Sequence, residues 1–125
     1  MRLPAQLTAS GRALLADLPL PQVRALFPDA GAFVDRHGVG PRRLSELRRL
    51  LAEVRRTGHA TEDGEVTPGF ASVAAAVHDH AGRPAAAVAV TFPAAEVDPA
   101  GRDELAHRAG RAAAELTRRI NGRAP

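Results

Sequence analysis

The sequence predicts an α+β domain, with helices on one side of a small antiparallel sheet. Three stretches carry that prediction. Gly69–Pro93 holds two short Val/Ala runs, Ser72–Val77 and Pro84–Thr91, around a polar break at His78–Arg83. Pro41–Thr57 repeats leucine at helical spacing. A long segment opened by Asp98-Pro99 carries Leu and Ala at helical spacing as far as Ile120.

Taken in order, the chain starts with an extended Leu3-Pro4. Thr8 or Ser10 then caps a helix over Arg12–Leu18, with Leu14, Leu15 and Leu18 on one stripe. Pro21 suits the first turn of a second short helix, Pro21–Phe27. Residues 28–40 read as an irregular loop, punctuated by Pro28, Gly31, Gly38 and Gly40. Pro41–Thr57 is the clearest helix. Leu44, Leu47, Leu50, Leu51 and Val54 form its buried face, and Gly58 is the expected left-handed stop. Its arginines lie off that face with Glu46 and Glu53 interleaved, which reads as a solvated surface rather than a phosphate patch.

His59–Glu62 reads as a short strand and Asp63–Pro68 as a loop. The two Val/Ala runs follow as a β-hairpin. Their alternation is faint, as in strands that meet protein on both faces. Asp79 and Gly82 supply turn chemistry, and Pro93 ends the second strand because it has no N–H for the ladder. Asp98 is the N-cap and Pro99 the first residue of the last helix, with Leu105, Ala109, Ala112, Ala113, Leu116 and Ile120 on the buried stripe.

The 125 residues make one domain with a modest core. There is no cysteine, hence no disulfide framework and no thiolate chemistry. The uncharged run Pro84–Ala95 is too short to span a bilayer, and no apolar signal region follows Met1. A cytoplasmic protein with no membrane partner is the expectation. All 17 basic residues are arginine, and the net charge is only +3. The four aromatics are all Phe, so stacking platforms for single strands are scarce.

On chemistry alone, few residues stand out. His78 and His80, two apart in the expected turn, read as exposed polar residues, since no third metal ligand is evident. No metal and no cofactor is expected. Hydrolase, zinc-protease, phosphate-loop and dinucleotide motifs are absent. Glu62 ends a strand beside a loop, where a carboxylate faces either a pocket or solvent.

Two segments resemble the C-terminal effector-binding domain of the IclR family of bacterial transcription regulators. The first is Leu3–Leu18, LPAQLTASGRALLADL, with Arg12 where the family carries Lys. The second is Leu47–Pro93, which runs L..LL..VRRTGHATEDGEV, then G.ASVAAAV.D..G.P.AAVAV, and closes on Thr91-Phe92-Pro93. The resemblance covers nearly the whole chain in order. It implies a GAF-like sensor: a curved antiparallel sheet with helices packed against it, holding a small molecule. By the family pattern the ligand-binding positions are Leu3, the amides of Ala9 and Ser10, Glu62, Phe70, Ser72, Ala89 and Thr91. Amides at a helix start favour an anion, and hydroxyls fix its orientation. Ala89 lacks the family's hydroxyl, Glu62 is longer than the usual Asp, and Phe92 is bulkier than the usual Gly.

The resemblance also implies that residues 1–125 are a partial domain, lacking the family's first strands and its helix-turn-helix domain. DNA contact would then need a segment that this chain does not contain. The resulting expectation is a non-enzymatic sensor. It binds a small organic acid or related metabolite and shifts a dimer or tetramer equilibrium, with self-association as a further partner interaction. The rivals are a small GAF-like enzyme using Ser72 with a His, and a ligand-free interaction module.

Overall fold

The computed structural model describes residues 5–33 and 40–120. Helices α1 (Ala9–Ala16), α2 (Leu20–Leu26) and α3 (Leu44–Thr57) precede strands β1 (Ala60–Asp63), β2 (Phe70–His78) and β3 (Pro84–Pro93). Helix α4 (Pro99–Arg119) follows, and single 3₁₀ turns lie at Ala30–Ala32 and Ala94–Glu96. The sheet is antiparallel in the order β1-β2-β3. The α+β class read from the sequence stands.

The helices do not lie on one side. β2 is buried on both faces. Ala74, with half-buried Ala76, meets the α1–α3 layer and its core of Leu15, Val23, Phe27, Leu47 and Leu51. Ala71, Val73, Ala75 and Val77 meet α4 and the apolar face of β3. The unbroken apolar run of β2 has this cause: a strand covered on both faces has no polar side to alternate.

The helix starts follow their caps. Thr8 is extended, and its Oγ1 accepts from the Gly11 amide at 2.9 Å, so α1 starts at Ala9, not Arg12. Leu15 is buried, whereas Leu14 and Leu18 are half-buried. α3 starts at Leu44, three residues past Pro41, where the Arg42 amide donates to Glu46 Oε1. It ends at Gly58, φ +85°, as its sequence requires. On its exposed face Arg56 pairs with Glu53.

α4 departs most from expectation. Asp98 caps it as predicted, accepting from the Gly101 amide at 2.7 Å. The buried stripe, however, is Ala106, Ala109, Ala113 and Thr117, while Leu116 and Ile120 are 43% and 51% exposed and Ala112 is exposed. Alanine lets the helix backbone sit close on the sheet, and a stripe phased on the leucines would hold it away.

His78 is not in the turn. It ends β2, is buried, and places Nε2 2.6 Å from Asp17 Oδ2 at the end of α1. Its amide donates to Thr117 Oγ1 of α4 at 3.1 Å. The turn itself is organised by Asp79, whose Oδ1 accepts from the amides of Ala81 and Arg83 at 2.9 and 3.0 Å. The Arg83 amide is the main cause of a carboxyl pKa below its ordinary value; desolvation acts against it, and the Ala81 amide adds to the lowering. A depressed folded-state pKa contributes stability above the unfolded value and loses it as pH falls through the folded value. The Ala81 and Arg83 amide shifts should therefore move together only below about pH 4, the ordinary aspartate range. NMR titration checks this, and Asp79→Asn should abolish the movement.

Candidate functional site

The site begins with a row across the sheet. Glu62 of β1, Ser72 of β2 and Thr91 of β3 are register partners, so all three side chains leave the same face. Ser72 Oγ and Thr91 Oγ1 share a hydrogen bond of 2.9 Å. Glu62 is 7% exposed, and its Oε2 accepts from the Glu65 amide at 3.3 Å. The next row is Ala60, Ala74 and Ala89. Ala60 and Ala74 are covered by the helix layer, whereas Ala89 lines open space above the edge strand.

The start of α1 faces this row. A cavity of about 430 Å³ lies between them, walled by Thr8, Ala9 and Ser10 on the helix side and by Glu62, Ser72, Ala89 and Thr91 on the sheet side. Val66, Thr67 and Phe70 close its end. The first intrahelical bond is from the Arg12 amide to the Thr8 carbonyl at 3.0 Å, so the Ala9 and Ser10 amides precede the ladder.

A buried arginine sets the spacing. Arg12 is 2% exposed. Its Nε donates to the Gln6 carbonyl at 2.7 Å, one terminal nitrogen to the Thr61 carbonyl at 2.8 Å, and the other to Glu65 Oε1 at 2.8 Å. One guanidinium thus ties the turn before α1, strand β1 and the loop after it. Gly11 lets Ala5 approach: a Cβ there would lie 2.6 Å from Ala5 Cα.

Seven sequence-predicted positions therefore converge on one cavity: Ala9, Ser10, Glu62, Phe70, Ser72, Ala89 and Thr91. Leu3 lies outside the described residues. Sequence reading missed Thr8, Val66 and Thr67. It treated Asp63–Pro68 as a loop with nothing to pack, and the only available signal was the apolar Val66 among polar neighbours. It also passed over Arg12 as a strut of the cavity, although a charge on an otherwise apolar helix stripe was the clue. The hydroxyl partner of Ser72 is Thr91 rather than a histidine, so the Ser–His arrangement of a hydrolase is not formed there. Among the described residues, no three His, Cys, Asp or Glu side chains are grouped to hold a metal. No described helix is long and apolar enough to cross a membrane.

A second cavity, about 570 Å³, lies on the α4 face, floored by Ala71, Val73 and Phe92 and rimmed by His59, Asp63, Arg102 and Asp103. Glu62 and Ser72 border it as well. Both its arginines are engaged: Arg12 as above, while Arg102 lies 5.3 Å over the Phe92 ring and donates to Asp63 and to the Val97 and Ala94 carbonyls.

Comparison with known proteins agrees with this architecture. Residues 1–118 match the family described as Bacterial transcriptional regulator IclR C-terminal. The glycerol operon regulatory protein of Streptomyces coelicolor is 35% identical over 88 residues, which is 70% of this chain and 34% of that protein. The crystal structure of the repressor BlcR from Agrobacterium tumefaciens superposes with a TM-score of 0.91 at 30% identity, covering 99% of this chain and 49% of that one. The C-terminal domain of the E. coli transcriptional regulator KdgR shares the fold, with a TM-score of 0.88 at 22% identity, covering 97% of this chain and 73% of that one. The chain thus spans about a third of its curated relative and half of the BlcR chain. Those relatives are transcriptional regulators, which points away from enzymatic activity. With the family match running over residues 1–118, the chain belongs to the IclR-type bacterial transcriptional regulators, in their C-terminal domain.

Proposed function

We propose that this chain is an effector-sensing domain, and that the cavity between α1 and the Glu62–Ser72–Thr91 row takes a small organic acid or related metabolite. The observation that carries the reading is that row, set opposite two helix-start amides. The amides and the positive end of α1 favour an anionic or carbonyl oxygen. Glu62 is an acceptor when ionised, so it favours a hydroxyl or protonated group at the other end of the ligand. The ligand class is therefore a short hydroxy acid rather than a simple carboxylate. Ala89 in place of a hydroxyl and the Phe70 wall suit a compact, partly apolar body. In this reading the domain works in the cytoplasm, ligand binding shifts a dimer or tetramer equilibrium, and DNA is contacted by another domain of the regulator.

Calorimetric titration with two- to four-carbon hydroxy and keto acids tests this. Hydrogen bonds to charged groups contribute about 1.5–3 kcal/mol, so Glu62→Gln and Thr91→Val should each weaken a bound hydroxy acid roughly 10- to 100-fold. Binding that neither substitution changes would place the ligand elsewhere.

A further inference from the structure

Each end of α1 opens on a cavity. The start faces the cavity at Glu62, and the end faces another of about 390 Å³. Ala13, Ala16 and Ala76 give this second cavity a small apolar floor, and Asp17, Arg55 and His78 stand around it. α3 ends on its rim, at Gly58.

The three polar side chains are only partly committed. The His78 side chain is 9% exposed and meets Asp17 Oδ2 through Nε2. A carboxylate only accepts, so the hydrogen of that bond lies on Nε2, and Nδ1 of the neutral ring keeps its lone pair. Nδ1 has no partner among the described residues, yet none of their buried side-chain nitrogens or oxygens lacks one. Nδ1 therefore borders open space, and the space that His78 lines is this cavity. Arg55 makes one bond, from Nη1 to the Ala16 carbonyl at 2.9 Å. That bond positions the guanidinium at the end of α1 and leaves Nε and Nη2 to donate elsewhere.

This set suits neither simple ion. Asp17 and the negative ends of two helices oppose an anion. Arg55 opposes a cation. Acceptors on one side and a guanidinium on the other match a molecule that carries both charges.

We propose that this cavity binds a small zwitterion, an α-amino acid with a side chain no larger than a methyl or hydroxymethyl group. Its ammonium donates to Asp17 Oδ1 and His78 Nδ1. Its carboxylate accepts from the unused edge of Arg55, whose fork fits two carboxylate oxygens. The alanine floor takes the side chain, and the volume is that of a small-molecule site. This cavity shares no lining residue with the one at Glu62, so the assignment does not rest on that cavity taking an effector.

Amide chemical shifts of the isotope-labelled chain, titrated with L-alanine, L-lactate and ethylamine, test the assignment. Lactate lacks the ammonium and ethylamine lacks the carboxylate. Expected are saturable shifts at Asp17, Gly58 and His78 with L-alanine, and binding at least about tenfold weaker for each of the other two. Arg55→Gln alters an exposed residue and should weaken L-alanine about 10- to 100-fold while far-UV circular dichroism stays unchanged. No saturable shift at these amides with L-alanine up to about 10 mM would overturn the proposal. So would lactate or ethylamine bound as tightly as L-alanine, shifts confined to Ala9 and Ser10, or an Arg55→Gln protein that binds as before.

Discussion

Arg12→Met is expected to lower unfolding free energy by about 3–5 kcal/mol, the usual cost of removing one partner from a buried ion pair. The side chain is 3% exposed and that of its partner Glu65 is 14% exposed, so water screens the pair little. Methionine approximates the volume but leaves Glu65 and the carbonyls of Gln6 and Thr61 without their donor. Against a total stability of roughly 5–15 kcal/mol, that loss is a large share. Urea denaturation measures it. Adding Glu65→Gln should restore only part, because the Gln6 and Thr61 carbonyls still lack the guanidinium's hydrogen bonds. Arg12→Lys should fall between, since a point charge does not span three acceptors held in a fork.

Gly11→Ala should destabilise, although helix propensity alone argues the opposite by about 1 kcal/mol. The added methyl would lie 2.6 Å from Ala5 Cα and 2.7 Å from Thr8 Oγ1, and closer still to the Ala5 carbonyl oxygen. Backbone cannot turn aside as a flexible side chain does. Either residues 5–8 shift or α1 does, and both hold the cavity wall. Overpacking of this kind costs about 1–3 kcal/mol or more. Gly110→Ala in α4 is the control: nothing lies within 4 Å of its added Cβ, so it should stabilise by about 0.4–1 kcal/mol. Thermal melts of the two variants should move in opposite directions.

Much of this architecture was legible because it is local. Asp98-Pro99, Gly58 and the polar break between two Val/Ala runs each dictate backbone geometry within a few residues. The cavity positions were legible only through resemblance, since nothing in the spacing of Ser10, Glu62, Ser72 and Thr91 reveals that they meet. What escaped was set by tertiary packing. An alanine-rich helix such as α4 has small residues on every side, so its few leucines suggest a stripe that the close-packed sheet does not select. The two-sided burial of β2 was legible as missing alternation, but the same reading extended to β3, most of whose positions are exposed or half-buried, and the helices were still placed on one side of the sheet. His78 looked like a turn residue because it is the last position of β2, just past a register shift between Val77 and His78.

His78 bears on how the chain assembles. Its ring meets residue 17 and its amide meets residue 117, so one position gathers points 61 and 39 residues away. Loop closure costs only about 0.6 kcal/mol more for each doubling of length, but neither contact forms before the segments between are arranged. The hairpin β2–β3 is local and shortens the path between residues 78 and 117. The junction at His78 fastens the end of the first helix and the last helix to the same point of the sheet. Contacts absent from the folding transition state act chiefly on the unfolding rate. If this polar junction closes after the transition state, His78→Ala should raise the unfolding rate more than it slows folding, which stopped-flow kinetics would read.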